Sequence, residues 1–281
     1  MADGTVLLRR SSLGDVILLG SVTAAIEGHV TVVTSPAWIQ VAERLRGVDS
    51  VRPWPERPKG RTIDLQGNLR SIRLAPLATR IRKHSLRRRL RLWTGRGGRP
   101  PVPVLYGHAC GVRPVSAPWI EVSGVRDVLA LVPGAAWALK RAPFARLVEV
   151  GQRWSGPVVV LGGPGEEVLV HQLASEIPGA EALCERGFSM TIEVLGCTRV
   201  AVCGDTGLMH LAGACGASVV ALFGPTHPDD GFFVYDGEVV QRTLGCRPCA
   251  LHRIERCARG DHGCMELEDK IVQDAVDRCA G

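Results

Sequence analysis

The sequence predicts an α/β protein built from two parallel-sheet halves in tandem. Three observations predict it. Short buried-strand patterns alternate with helical ones from the N-terminus. The alternation stops in a Pro- and Gly-rich run from Gly95 to Pro118, and then it restarts. A chain of 281 residues, 46% apolar and 22% charged, is globular in composition and has room for two domains of ordinary size.

The elements follow in order. "TVLLRR" reads as a strand, "SSLGD" as the turn after it, and Val16 to Ile26 as a helix. "HVTVVT" is the next strand, and "AWIQVAERLRG" is a helix closed by Gly47. "TIDLQG" is strand-like. A basic helical stretch, "NLRSIRLAPLATRIRKHSLRRRLRLW", follows it, and "VPVLYG" is a strand candidate inside the Pro- and Gly-rich run. The domain boundary falls between Ser116 and Val125, which gives domains of 1–120 and 121–281. In the second half "DVLALVPG" is a strand, and "PFARLVEVGQRW" is a helix with Pro in its first turn. "PVVVLGGPG" is a strand with a Gly-rich turn, and "EEVLVHQLASEI" and "SMTIEVLGC" are helices. "RVAVCG" is a strand, "TGLMHLAGAC" a helix, and "ASVVALFGP" the strand after it. Ligands of such sheets bind outside the C-terminal strand ends, so two facing halves make a cleft.

"MADGTVLLRR" lacks the apolar core of a secretory signal, and no apolar run is long enough to span a bilayer. A cytoplasmic location is expected. The formal charge of +6 is unevenly spread: Arg57–Arg99 holds fourteen Lys or Arg and one acid, Asp64, so this block carries +13 and the rest −7. Such asymmetry points to a polyanionic partner for one half: nucleic acid, anionic lipid or a phosphorylated glycan. Of the ten cysteines, Cys184, Cys197, Cys203 and Cys215 lie in apolar surroundings and read as small core residues.

Several strand ends carry chemistry. In "GDTGLMH", Asp205 ends a buried strand and Thr206 stands at the N-cap of the next helix. Gly207 lets a ligand approach the amides of Gly207, Leu208 and Met209, and His210 lies one turn in. An ordinary capped helix with a core histidine explains the same residues. In "RRSSLGDV", Asp15 stands at the mouth of a helix, either capping it or pointing into the cleft. Lys140 in "PGAAWALKRAP" suits a phosphate. Glu166 or Glu167 in "GGPGEE" suits a ribose hydroxyl, or merely complements a helix dipole.

Together "SSLGDVILL", "DLQGNLRS", "PGAAWALKRAP", "LGGPGEE" and "DTGLMHLAGACGASVVALFGPTHP" resemble the ordered motifs of glycosyltransferase family nine, the bacterial ADP-heptose:lipopolysaccharide heptosyltransferases and their relatives. The resemblance runs from about Val6 to Met265. It implies a GT-B fold, with two Rossmann-like domains facing a central cleft, the nucleotide-sugar donor on the second and the acceptor on the first. It also implies inverting transfer without a catalytic metal. By position, Asp15 is similar to the family's catalytic base and Lys140 to its diphosphate-binding lysine. Ser12, Gly14, Glu166, Glu167, Asp205, Thr206, Gly207, Leu208 and His210 fall in donor-binding motifs.

The chemistry agrees with the residues. Inverting transfer needs a base for the attacking hydroxyl and charge stabilisation for the leaving diphosphate. Asp15 supplies the first; Lys140, Thr206 and the amides after it supply the second. The basic block then suits an anionic, lipid-linked glycan acceptor at the inner leaflet, with Arg70, Arg73, Arg87, Arg88 and Arg89 as acceptor-binding candidates. Cys246, Cys249, Cys257 and Cys264, with His252 and His262 among them, suggest a structural zinc or iron–sulfur clasp, or else unliganded thiols. The competing reading is a nucleic-acid-binding α/β protein using Arg57–Arg99, for which only Trp93 and Tyr106 offer stacking near the block. A dinucleotide-binding dehydrogenase would need G-x-G-x-x-G after the first strand, and "RRSSLGD" does not supply it.

Overall fold

Strands buried on both faces read as continuous apolar runs, and such strands form the middle of two all-parallel sheets. The structure is a computed structural model that describes residues 4–81, 99–184, 187–230, 234–249 and 254–281. In the first half, β1 (Thr5–Leu8), β2 (Val30–Thr34), β3 (Ser50–Pro53), β4 (Arg61–Asp64) and β5 (Thr79–Arg80) lie in the order β3-β2-β1-β4-β5. In the second, β6 (Val128–Val132), β7 (Val158–Gly162), β8 (Glu181–Cys184), β9 (Thr198–Gly204), β10 (Ser218–Phe223) and β11 (Gly237–Gln241) lie in the order β11-β10-β9-β6-β7-β8. Strand order reverses between β1 and β4, and again between β6 and β9. Crevices open at those two switch points, so the loops leaving β1, β6 and β9 are placed to meet a ligand. These loops carry Asp15, Lys140 and Asp205.

Several expected elements differ in the first half. The Val16–Ile26 helix is two short pieces, α1 (Leu13–Ile17) and α2 (Gly20–Thr23). The "AWIQVAERLRG" helix shortens to α3 (Ile39–Ala42). Among the described residues the basic stretch is helical over α4 (Leu69–Leu74), which ends there because Pro76 follows and disfavours helix at the residue before it. Residues 79–80 of that stretch pair with β4 as β5, and 82–98 lie outside the described residues. The expected strand "VPVLYG" is instead a helix, α5 (Val102–Cys110). Pro103 sits in its first turn, and Gly111, at φ 75, closes it in the left-handed conformation that glycine adopts without strain. The four helices expected in the second half form as α6 (Phe144–Arg153), α7 (Glu167–Ser175), α8 (Gly187–Gly196) and α9 (Gly207–Ala214), and α10 (Asp269–Ala280) ends the chain.

The two halves share an apolar core. Leu7, Val16, Ile17 and Val32 of the first cluster with Met209, Leu211, Ala212 and Phe223 of the second. The connection is tied to both sides: Val115 N–H donates to Ser21 O at 2.7 Å, and Trp119 N–H donates to Ala214 O at 2.8 Å. The Trp119 ring packs edge-on against Tyr235, with centroids 5.4 Å apart. A second core lies under α10, whose Val272, Ala275 and Val276 meet Leu147, Val150 and Val220.

Candidate active site

Asp15 is the third residue of α1, and three donors converge on one of its oxygens. Ser12 N–H reaches Oδ2 at 3.1 Å, the Ser12 hydroxyl at 3.0 Å, and the Arg9 guanidinium makes an ion pair with the same oxygen. Among the described residues Oδ1 has no partner, and the side chain remains 28% exposed. Burial pushes the Asp15 carboxyl upward, but the Arg9 charge and the Ser12 bonds outweigh it and hold the group below its ordinary value. Asp15 is therefore an ionised carboxylate with one oxygen pinned and one open.

Residues that the sequence gives no role at this site fix this arrangement. Arg9 also donates to Leu65 O at 2.6 Å and lies 6.0 Å from the Tyr106 ring centroid. Tyr106 donates its hydroxyl to Asp15 O at 3.1 Å. Gln66 Oε1 accepts from Arg10 N at 3.0 Å and Ser11 N at 3.2 Å. The turn carrying Gln66 is built on Asp64, which is fully buried and accepts from Gln66 N at 3.0 Å, Gly67 N at 2.8 Å and Ser71 Oγ at 2.8 Å. The one acid of the basic block thus serves the fold.

On the opposite wall, Lys140 and Asp205 form a buried ion pair with Nζ–Oδ2 at 2.6 Å, and the Thr226 hydroxyl donates to the same oxygen at 2.9 Å. Lys140 ends a short helical turn, Ala138–Lys140, pressed onto the end of β9. Gly204 permits this, because any Cβ there would collide with Lys140 O. Sequence reasoning gives Thr226 no role beyond its place in "FGPT".

Thr206 takes the N-cap position of α9 with extended backbone, but its hydroxyl makes no capping bond. The N-cap position expected of Thr206 is the one it takes, and its hydroxyl stays available beside the first amides of the helix. Gly207 does not face open space: a Cβ there would lie 2.9 Å from Leu13 Cδ2 of α1. Leu208 is partly buried against the shared core. The His210 imidazole abuts Gly14 of the first half. Burial lowers its pKa; Asp205 and Asp15 pull it up and Lys140 pulls it down, and the balance leaves it below the ordinary value. A neutral imidazole thus lies between the two walls.

The two candidate glutamates separate. Glu166 turns back over the loop after β6, with its carboxylate filling the space beside Gly134 and accepting from Gly163 N at 2.9 Å. Glu167 accepts from Gly165 N at 2.7 Å, inside its own turn. Glu166 is the one aimed at the β6 crevice. Arg70 and Arg73 are exposed on α4, next to Leu69 at 73% and Leu77 at 98% exposure. Arg87, Arg88 and Arg89 lie outside the described residues.

All ten cysteines are free thiols. Cys246, Cys249, Cys257 and Cys264 do approach one another: burial first and then the neighbouring thiols push Cys249 up to about 11. Yet among the described residues no three His, Cys, Asp or Glu side chains form a group able to hold a metal ion. The Arg247 guanidinium lies in the field of Cys264, Cys249 and Cys246. The described residues thus give the expected zinc or iron–sulfur clasp no such group, and there this segment is fastened by hydrogen bonds. His252 lies outside the described residues. No helix among the described residues is long and apolar enough to cross a membrane.

The family model for glycosyltransferase family 9 (heptosyltransferase) matches residues 116–249, which hold Lys140, Glu166, Asp205 and Thr226. Residues 116–249 of the chain thus match glycosyltransferase family 9. The chain is 33% identical over 130 residues to lipopolysaccharide heptosyltransferase 1 of Pseudomonas aeruginosa, a match covering 43% of this chain and 36% of that protein. The matched stretch thus spans about a third of that curated relative. Solved structures extend the likeness of fold to the whole chain. A family 9 glycosyl transferase from Veillonella parvula superposes with TM-score 0.76 at 18% identity, covering 99% of this chain and 97% of that one. ADP-heptose lipopolysaccharide heptosyltransferase II of Escherichia coli superposes with TM-score 0.73 at 16% identity, covering 99% and 98%. The two-sheet GT-B architecture of this chain is that of these structures.

Proposed function

We propose that the chain is an inverting glycosyltransferase that moves a heptose, or a related sugar, from an ADP-activated donor to a lipopolysaccharide core or similar anionic glycan. The observation that carries this reading is the opposition of two walls at the switch points. An ionised Asp15 with one oxygen open stands on the first, and the Lys140–Asp205–Thr226 group beside the α9 amides stands on the second. Asp15 Oδ1 takes the proton of the attacking hydroxyl. Lys140, the Thr206 hydroxyl and the amides at residues 207–209 compensate the charge of the leaving diphosphate, a role in which no divalent cation is called for. Glu166 meets the donor's ribose, and Asp205 the donor's sugar. The names of the relatives, heptosyltransferases acting in lipopolysaccharide assembly, support this choice of donor and acceptor. Residues 1–120 then form the acceptor-binding domain and 121–281 the donor-binding domain.

Calorimetry with ADP, ADP-heptose, UDP and GDP tests the donor. ADP and ADP-heptose bind, and Thr206→Ala weakens ADP by about one charge-assisted hydrogen bond, roughly 1.5–3 kcal/mol. Failure of any nucleoside diphosphate to bind, or wild-type ADP affinity in folded Thr206→Ala, sinks the reading.

The acceptor reading places Arg70 and Arg73, with exposed Leu69 and Leu77 beside them, toward an anionic glycan on a lipid surface. This suits a cytoplasmic enzyme that touches the inner leaflet peripherally. Arg70→Gln with Arg73→Gln should raise acceptor KM and flatten its salt dependence, since screened surface charges act over about 10 Å at 0.1 M salt. ADP affinity should not move; an equal loss of ADP affinity would assign the two arginines to the donor or the fold.

A further inference from the structure

We propose that the Cys-rich segment, through residues 246–249 and 254–265, is a clasp that sets both donor loops from behind, with Arg247 and His262 as its positioning residues. The proposal rests on the donor reading above. The three members of the buried group come from loops far apart in sequence: Lys140 after β6, Asp205 after β9, and Thr226 after β10. Two of these loops are held by the one segment.

Arg247 does most of the holding on the Thr226 side. Its Nη2 donates to Thr226 O at 2.9 Å and to Gln241 Oε1 at 3.1 Å. Its Nε donates to Gly224 O, and its Nη1 to Arg242 O. Cys249 N–H donates to Pro225 O at 3.0 Å, so all three carbonyls of Gly224, Pro225 and Thr226 are taken by the segment. Met265 and Cys264 pack against Gly224, where a Cβ would lie 2.7 Å from Met265 Sδ and 3.5 Å from Cys264 Sγ. On the Lys140 side, His262 Nε2 lies 2.9 Å from Leu139 O. A carbonyl only accepts, so the imidazole donates from Nε2. His262 does this from a left-handed backbone, φ 50, a conformation uncommon outside glycine but more accessible to His, Asn and Asp than to other residues. Arg242 ties the same stretch back to the sheet by donating to Gly263 O at 2.8 Å.

Both residues grip backbone carbonyls of the donor loops rather than the Lys140, Asp205 or Thr226 side chains. They act by fixing where those side chains start. The carboxylate oxygen that Lys140 and Thr226 share tolerates little drift, because hydrogen bonds weaken steeply away from about 2.9 Å and linear geometry.

Two measurements on the full-length protein test the clasp. Amide hydrogen exchange reads it without ligand: in Arg247→Met, peptides spanning residues 222–228 should exchange about tenfold faster, and in His262→Asn those spanning 138–142 should do the same. Asn tolerates the left-handed backbone but is too short to reach Leu139. Unchanged exchange in both variants overturns the clasp whatever binds in the cleft. ADP calorimetry reads its consequence: each variant should weaken ADP about fivefold to tenfold, with Arg247→Lys recovering part of the loss. If Arg247 acts through Thr226, Arg247→Met should add little to Thr226→Val in the double variant. Full additivity, or wild-type ADP affinity in the folded single variants, overturns the positioning role. Should Arg247→Met fail to fold, Arg247→Lys and His262→Asn serve in both measurements, and unchanged exchange or unchanged ADP affinity in them overturns the proposal in the same way. A wild-type protein that binds no ADP sinks the donor reading instead and leaves the exchange result to decide the clasp.

Discussion

Asp15→Asn lowers the rate of sugar transfer by about a hundredfold or more and leaves ADP affinity within about twofold. The substitution keeps an oxygen for the two Ser12 donors but removes the charge that Arg9 pairs with and the site that takes up a proton. Single-turnover rates with ADP-heptose, beside calorimetry with ADP, check both halves of the expectation; a folded variant that turns over normally removes Asp15 as the base. The pH dependence has a definite sign. With the folded carboxyl below its ordinary value, the base is competent above about pH 4 and is lost as pH falls through the lowered value. The stability that the Arg9 contact contributes is lost over the same acid window.

Lys140→Met has the larger structural effect. It leaves Asp205, 9% exposed, as a buried carboxylate facing the Thr226 hydroxyl without its cation, and breaking such a pair from one side costs about 3–5 kcal/mol. It also removes the cation held against the donor wall, so ADP binding should fall with it. Adding Asp205→Leu removes the stranded charge. The double variant should regain much of the lost stability in urea titrations while still failing to bind ADP. Recovery of both stability and binding would show that the pair serves only the fold.

What the sequence disclosed, and what it hid, follows the layers of the sheets. β1, β2, β6, β7, β9 and β10 are apolar runs buried from both sides, and each was legible as a strand. The four strands that left no mark, β3, β5, β8 and β11, are the four sheet edges. "SVRP", a two-residue piece, "EALC" and "GEVVQ" are short and half-exposed, so no hydrophobic run betrays them. "VPVLYG" misled because β-branched and aromatic residues favour strands, while Pro103 in the first turn and Gly111 just past the last suit a helix. In the site, Asp15, Lys140 and Asp205 were legible because a polar residue at the end of a buried strand stands out. Their partners were not. Lys140 meets Asp205 across 65 residues of chain, and Arg9, Tyr106, Thr226 and Arg247 act through contacts that exist only after folding.

The seam between the two halves carries one further consequence. Where the halves touch, glycines receive side chains from across the seam: Gly14 receives His210 and Gly207 receives Leu13 at 2.9 Å, while Gly20 receives Trp119 of the connecting segment at 2.5 Å, measured from where a Cβ would stand. In a library of every single substitution, these glycines would reject even alanine, as residues in contact with a substrate do. Gly14 and Gly207 sit in segments that the sequence offers as donor-binding candidates, so their intolerance would pass for ligand contact. The lock between the lobes accounts for it without any ligand.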